Sequence, residues 1–133
     1  MEEIAFDNLE IAPPSAVRQA ARDFAGALAE TPQFKAFELA DLTFRQDQAA
    51  QQAMQAYLDK QQSLRAMQML NALSAEQRDE LERLQNAFIS QPIVREYFNA
   101  QAALASLCQA LGDTLSESIG LNYAAACGVS CCG

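Results

Sequence analysis

The sequence predicts an all-α protein: a compact helical bundle of about five helices that includes a long antiparallel helical hairpin. Half of the 133 residues are hydrophobic, with five glycines and four prolines, and alanine, leucine, glutamine and glutamate favour helices. Apolar residues recur at spacings of three and four, as on one face of a helix. Because the connections between these segments are short, we expect successive helices to pack as antiparallel neighbours.

The chain divides into three parts. Residues 1–14 form an acidic N-terminal arm, residues 15–123 a helical domain, and residues 124–133 a C-terminal tail that contains cysteines. Pro13 and Pro14 disfavour a helix across the end of the arm. We expect the arm to lie as a strap on the bundle, with a partner-binding segment as the alternative.

Capping residues delimit the first three predicted helices. Ser15 is expected to cap the first helix, and Thr31 to cap the second, with Pro32 at its first position. Asp47 is expected to cap the third and longest helix, residues 48–71. The apolar positions on these helices are Val17, Ala20, Ala21, Phe24, Leu28, Phe34, Phe37, Leu39, Leu42, Ala50, Met54, Tyr57, Leu64 and Met67.

The last two helices carry the clearest start and stop signals. Ser74 and Gln77 form a capping-box pattern that begins a helix over residues 75–89. Pro92 suits the first position of the fifth helix, and Gly120 suits its end. The seam of this helix is Val94, Tyr97, Gln101, Leu104, Cys108, Leu111 and Leu115. We expect Cys108 to lie in the core as a small hydrophobe, together with Met54, Met67 and Met69.

Charge and composition exclude several classes of function. The net charge of −8 argues against direct binding to nucleic acid or to an anionic membrane. The N-terminus lacks a signal peptide, and no apolar run reaches the roughly 20 residues of a membrane span, so we expect a cytoplasmic protein. Histidine is absent, and no nucleophile motif or phosphate-binding loop is present. We therefore predict that the protein is not an enzyme.

Four segments resemble the YlbF/YmcA family of small helical bacterial regulators. They are residues 20–28 followed by 31–37, the long helix after Asp47, residues 91–101, and the ending at residues 119–123. The resemblance implies an all-helical adaptor that forms homodimers or hetero-oligomers and has no enzymatic activity. It also implies action in complexes with a further protein, in RNA processing and developmental regulation, and iron–sulfur clusters held by cysteines near the C-terminus.

The cysteine tail is the one concentration of reactive side chains in the sequence. Cys127, Cys131 and Cys132 place three thiols within six residues, and thiolates select zinc, Cu(I) and iron–sulfur clusters. Neighbouring Cys131 and Cys132 point in different directions in an extended chain, which suits a cluster better than a single ion. We expect an iron–sulfur cluster, with zinc or no metal as alternatives, and a fourth ligand from a second subunit, a partner or a small molecule. A redox role and an inert tail remain open.

Assembly is the last expectation from the sequence. The stripes on the third and fifth helices offer more apolar surface than one hairpin can bury, and such surface marks an interface. We predict a homodimer or a heteromer with a related helical chain, and a further protein partner. The predicted interface residues are Tyr97, Leu104, Leu111, Leu115, Tyr57 and Leu64. Two alternatives are a purely structural helical interaction protein and a helical leader followed by a modified cysteine-rich peptide.

Overall fold

Five α-helices make up the protein in a computed structural model, which describes residues 13–120 and residue 122. They are α1 (Pro14–Ala29), α2 (Pro32–Gln46), α3 (Gln48–Met69), α4 (Ala75–Ile89) and α5 (Pro92–Ile119). No strand occurs among these residues. The predicted fold class and the number of helices are therefore confirmed.

The predicted caps of α2, α3 and α4 are confirmed. The Thr31 hydroxyl accepts a hydrogen bond from the Phe34 amide at 3.3 Å, and the Asp47 carboxylate accepts one from the Ala50 amide at 2.7 Å. Ser74 and Gln77 form the reciprocal bonds of a capping box. Each cap satisfies amide groups that the first turn of a helix leaves without a backbone partner. These side chains therefore fix where three of the five helices begin.

Two helix ends differ from the prediction. The first helix begins at Pro14, with Pro13 as its N-cap, and no side chain caps it. Ser15 therefore lies inside α1, since proline suits a first helical position, where its missing amide hydrogen costs nothing. The third helix ends at Met69, and Asn71 takes a positive φ of 52°, a conformation that asparagine tolerates better than most residues.

The chain forms two antiparallel paths, each made of two successive helices. The α2 and α3 helices form the first path, and α4 and α5 form the second. The α3 helix packs on α4, and α2 packs on α5. Contacts proceed in order along the paths: Met67 with Gln77, Lys60 with Glu80, Phe44 with Phe88, and Phe37 with Tyr97. Residue numbers fall on one path while they rise on the other, as antiparallel packing requires. The α3–α4 pair is thus the predicted hairpin, and α2 and α5 extend it.

The core lies where the two paths change helix. Ala50, Phe88 and Val94 are buried there, and Leu64 is buried farther along α3. Three half-buried residues pack on this cluster: Phe44, Ala53 and Met54. Ala50, Leu64, Phe88 and Val94 are the buried hydrophobic side chains among the described residues. Much of the apolar surface of the helices therefore stays accessible.

Several residues predicted as core lie at the surface instead. Met67 and Met69 are 43% and 80% exposed, because they lie at the end of α3, where the chain turns back into α4. Cys108 is also exposed. The physical reason is helix length: α5 has 28 residues and α2 has 15, so α2 cannot cover all of α5. The Met54 prediction holds, since Met54 packs against the core.

Candidate interaction surface

The first half of α5 packs in part against the rest of the chain, although Phe98 is 45% exposed. The Tyr97 ring lies 4.9 Å from the ring of Phe44 and 5.7 Å from that of Phe37, measured between centroids. Phe98 approaches Phe88 edge-on at 6.3 Å. These aromatic contacts join α2 and α4 to the beginning of α5. Tyr97, which was predicted as an interface residue, therefore packs on α2 within the chain, and its place in an interface stays a prediction.

The second half of α5 keeps its apolar side chains accessible. Leu104 and Leu111 are half-buried, and Leu115 and Ile119 are 41% and 48% exposed. These residues recur at spacings of three and four or their multiples, so they share one face of the helix. We call Leu104, Leu111, Leu115 and Ile119 the distal α5 face. It is an apolar strip that the rest of the described chain covers in part.

The surroundings of this strip are also unusual for a surface helix. Residues 97–112 contain no Asp, Glu, Lys or Arg. A helix that meets water on its outer side normally carries charged residues there. Exposed Ala103, Ser106, Gln109 and Ala110 occupy the sides of α5 instead. Small uncharged side chains allow another helix to approach closely.

The α1 helix carries a second accessible apolar strip. Val17 and Phe24 are 58% and 53% exposed, and α1 contains no buried residue. Leu28 is half-buried near the turn into α2, and α1 packs on α2. We call Val17, Phe24 and Leu28 the α1 face. The sequence predicted this stripe as packing surface, but its pattern could not show that the chain leaves Val17 and Phe24 uncovered.

The predicted interface residues on α3 have a different environment. Leu64 is only 6% exposed, inside the α3–α4 pair, and Tyr57 is half-buried. A nearby ion pair between Lys60 and Glu80, with 2.9 Å between nitrogen and oxygen, ties the two helices together. Leu64 therefore packs within the hairpin, whereas the distal α5 face keeps surface that a second chain could cover.

Other exposed apolar residues are scattered. Leu39 and Leu42 are 66% and 53% exposed on the side of α2 that faces away from α5, and Leu70 is 78% exposed beside Met69. Lys35 lies on the same outer side of α2, where it pairs with Glu30 at 2.8 Å. These residues do not form a strip comparable in length to the two faces on α1 and α5.

The predicted metal ligands Cys127, Cys131 and Cys132 lie outside the residues that the structure describes. Within the described part, Cys108 is a free thiol, and no group of three or more Cys, Asp or Glu side chains is placed to hold a metal ion. The metal site at these three cysteines therefore stays a prediction.

None of the described helices has the length and apolar character needed to cross a membrane.

Comparison with known families agrees with the helical pattern. A family model described as "Control of competence regulator ComK, YlbF/YmcA" matches residues 17–120. The match begins inside α1 and includes all of α2 to α5, and it ends before the three tail cysteines. No curated protein matches the chain. Since the match covers most of the chain, the protein belongs to the YlbF/YmcA family, whose members are described as regulators in the control of competence.

Proposed function

We propose that this protein is a non-enzymatic regulatory adaptor that acts by assembling with other proteins through its helices. Its family is described by regulation, the control of a competence regulator. A non-enzymatic regulator acts by binding, and binding needs a surface. The chain supplies such a surface on two of the five helices that its described residues form.

One observation carries this proposal: well-formed helices leave large apolar side chains half exposed. Phe24 on α1 and Ile119 on α5 are 53% and 48% exposed, although both lie on stripes with the helical period. Contiguous apolar surface on a helical protein marks a protein–protein contact. The net charge of −8 makes a phosphate backbone an unfavourable partner. A protein with an apolar helical face is the class of partner that fits.

We also propose that Cys127, Cys131 and Cys132 hold an iron–sulfur cluster or another thiophilic metal. Three thiols close in sequence form a donor set that suits such a centre, and the chain has no histidine to compete. A bound cluster or metal would make assembly depend on iron supply or redox state. The family match ends at residue 120, so this part of the proposal rests on the chemistry of the thiols alone.

The adaptor proposal is tested with the full chain, tagged at its own locus in the native host. Wild type is compared with Phe24→Glu and Leu115→Glu, and with Met69→Glu as matched control, because Met69 is exposed at the far end of α3. We expect wild type and the control each to recover a partner protein in an amount close to one mole per mole of tagged chain. The two variants should recover at least tenfold less.

The recovered partner is then purified and mixed with the purified chain. Direct binding measured by calorimetry, lost in the Phe24→Glu and Leu115→Glu proteins, would support the proposal. Absence of any near-stoichiometric partner, or equal binding by all variants, would overturn it.

A further inference from the structure

The turn between α3 and α4 places two methionines in different surroundings. We call residues 67–74 the hairpin tip. Met69, the last residue of α3, is 80% exposed, and Met67 is 43% exposed. Met54 lies farther back on α3 and packs against the core. Oxidation of methionine to the sulfoxide requires that the oxidant reach the sulfur, so these three residues differ in their access to an oxidant.

The backbone of the hairpin tip is well defined by hydrogen bonds. The Ala72 amide donates to the Met67 carbonyl at 2.9 Å, and the Asn71 amide donates to the Gln68 carbonyl at 3.0 Å. With Asn71 at a φ of 52°, these two bonds form a Schellman motif at the end of the helix. The high exposure of Met69 therefore belongs to a formed turn that closes α3.

Gln77 contacts the sulfur of Met67. Its Nε2 donates a hydrogen bond to Met67 Sδ at 3.5 Å, while its Oε1 accepts one from the Ser74 amide at 3.0 Å. The same side chain thus caps α4 and binds the sulfur, which is a weak acceptor. A thioether attacks an oxidant with a sulfur lone pair, and a hydrogen bond to the sulfur makes that lone pair less available. Met67 should therefore react more slowly than its exposure alone predicts.

We propose that the hairpin tip is a site of reversible methionine oxidation, where Met69 reacts with hydroperoxides and Gln77 protects Met67. The Met69 sulfur attacks one peroxide oxygen: the O–O bond breaks, an S–O bond forms, and hydrogen peroxide leaves as water. Sulfur gives up two electrons, and the peroxide takes up the same two. A thiol-dependent sulfoxide reductase supplies two electrons for the reverse step. The inference goes beyond the adaptor proposal and does not depend on it.

Oxidation at Met69 should change the surface of the chain and leave its fold intact. The sulfoxide replaces an apolar side chain by a polar one, next to Leu70, which is 78% exposed. Because Met69 itself is 80% exposed, the added oxygen meets solvent and needs no buried hydrogen-bond partner. The modified chain therefore stays folded, which a reversible modification requires.

The first experiment follows oxidation of the purified full chain by hydrogen peroxide. Tryptic peptides are measured by mass spectrometry, and fragment ions distinguish Met67 from Met69. The exposed fractions of 80% and 43% alone predict a reaction about twofold faster at Met69. With the hydrogen bond from Gln77, we expect a ratio of about fivefold or more. Met54 should react about tenfold more slowly than Met69.

Gln77→Glu tests the protection of Met67. A glutamate still accepts from the Ser74 amide in a capping box but has no donor for the sulfur, so the ratio of Met69 to Met67 oxidation should fall to about twofold. Gln68→Glu is the matched control, because it adds the same charge beside the methionines and leaves Gln77 in place. Its ratio should match wild type. Circular dichroism checks that both variants keep their helices.

Two results would overturn the inference. If Met54 reacts as fast as Met69, the hairpin tip is not the favoured site. If the ratio of Met69 to Met67 oxidation is the same in wild type and Gln77→Glu, Gln77 does not protect Met67.

The second experiment tests reversal in the native host. The tagged full chain is isolated before a pulse of hydrogen peroxide, directly after it and after recovery, with protein synthesis blocked so that new chains do not replace oxidised ones. We expect Met69 sulfoxide to rise about fivefold or more and then to fall by more than half. No rise, or a rise that persists, would overturn the reversible site. Either result leaves the adaptor proposal standing, because partner binding is measured separately.

Discussion

The ring of Phe44, at the end of α2, stacks on the ring of Tyr97, in the second turn of α5, with 4.9 Å between centroids and 27° between planes. Phe44 also lies 6.1 Å from Phe88 at the end of α4. One side chain thus touches both helices of the opposite path where that path bends. The junction between α4 and α5 is held by this contact as well as by the buried cluster.

The Phe44–Tyr97 contact should be measurable as a coupling energy. In a double-mutant cycle with Phe44→Leu and Tyr97→Leu, we expect a coupling of about 0.5–1.5 kcal/mol in the free energy of unfolding, beyond the loss of apolar area. Urea unfolding at one fixed protein concentration provides the measurement. The control cycle uses Leu42→Ala with Tyr97→Leu, because Leu42 faces away from α5. Equal coupling in the two cycles would contradict the contact.

The helix caps should contribute to stability one by one. Asp47→Ala and Ser74→Ala each remove an acceptor that an amide uses, so each should lower the free energy of unfolding by about 0.5–2 kcal/mol. Ser15→Ala is the matched control. Ser15 lies inside α1 and caps nothing, and alanine favours a helix interior, so stability should stay the same or rise slightly. A loss after Ser15→Ala equal to that after Ser74→Ala would restore Ser15 as the cap.

Cys108→Ser should have little effect on stability, within about 0.5 kcal/mol, because the thiol is exposed. Leu64→Ala provides the contrast. Leu64 is only 6% exposed, and its truncation should cost about 2–5 kcal/mol. Thermal and urea unfolding of the two variants measure the change in the free energy of unfolding. If the Cys108→Ser protein were as unstable as the Leu64→Ala protein, the result would contradict the exposed position and support a buried Cys108.

Replacement of Cys127, Cys131 and Cys132 by serine should abolish metal binding and leave the helices intact. The full chain is purified without oxygen and is then either reconstituted with iron and sulfide or incubated with zinc. Iron content, zinc content and visible absorbance are measured. The buried hydrophobic side chains of the described helices are Ala50, Leu64, Phe88 and Val94, so far-ultraviolet circular dichroism and melting temperature should match wild type. Cys108→Ser is the control and should retain iron. Wild type that binds neither iron nor zinc would end the metal proposal.

Local signals in the sequence predicted the helices and most of their ends. Thr31, Asp47 and Ser74 act on amides three residues away, and Gly120 takes the left-handed conformation at the end of α5, with φ of 71°. Such interactions depend on a few neighbouring residues, so a pattern reveals them. The start of α1 was predicted wrongly because Ser15 and Pro14 both suit a helix start, and Pro14 occupies the first position.

Pairing of helix faces was harder to predict. The periods on α1 and α5 show that each helix has an apolar face, but a period does not say which element covers that face. Cys108 and Met69 lie on apolar stripes and are nonetheless exposed, because one lies on the part of α5 that reaches beyond α2 and the other at the end of a hairpin. Helix lengths and the order of packing decide these cases, and both are properties of the whole chain.

The antiparallel arrangement of the two paths has a consequence for the order of folding. Lys60 and Glu80 are near in sequence, whereas Phe37 and Tyr97 are joined by a much longer segment. Contacts between near residues lose less chain entropy on closing, so we expect the α3–α4 hairpin to form first. Once formed, the hairpin holds the beginning of α3 beside the end of α4. The α2 and α5 helices, which continue from these two ends, can then pack on each other. Pulsed hydrogen exchange during refolding should show amides of α3 and α4 protected before those of α2. Simultaneous protection of all three helices would contradict this order.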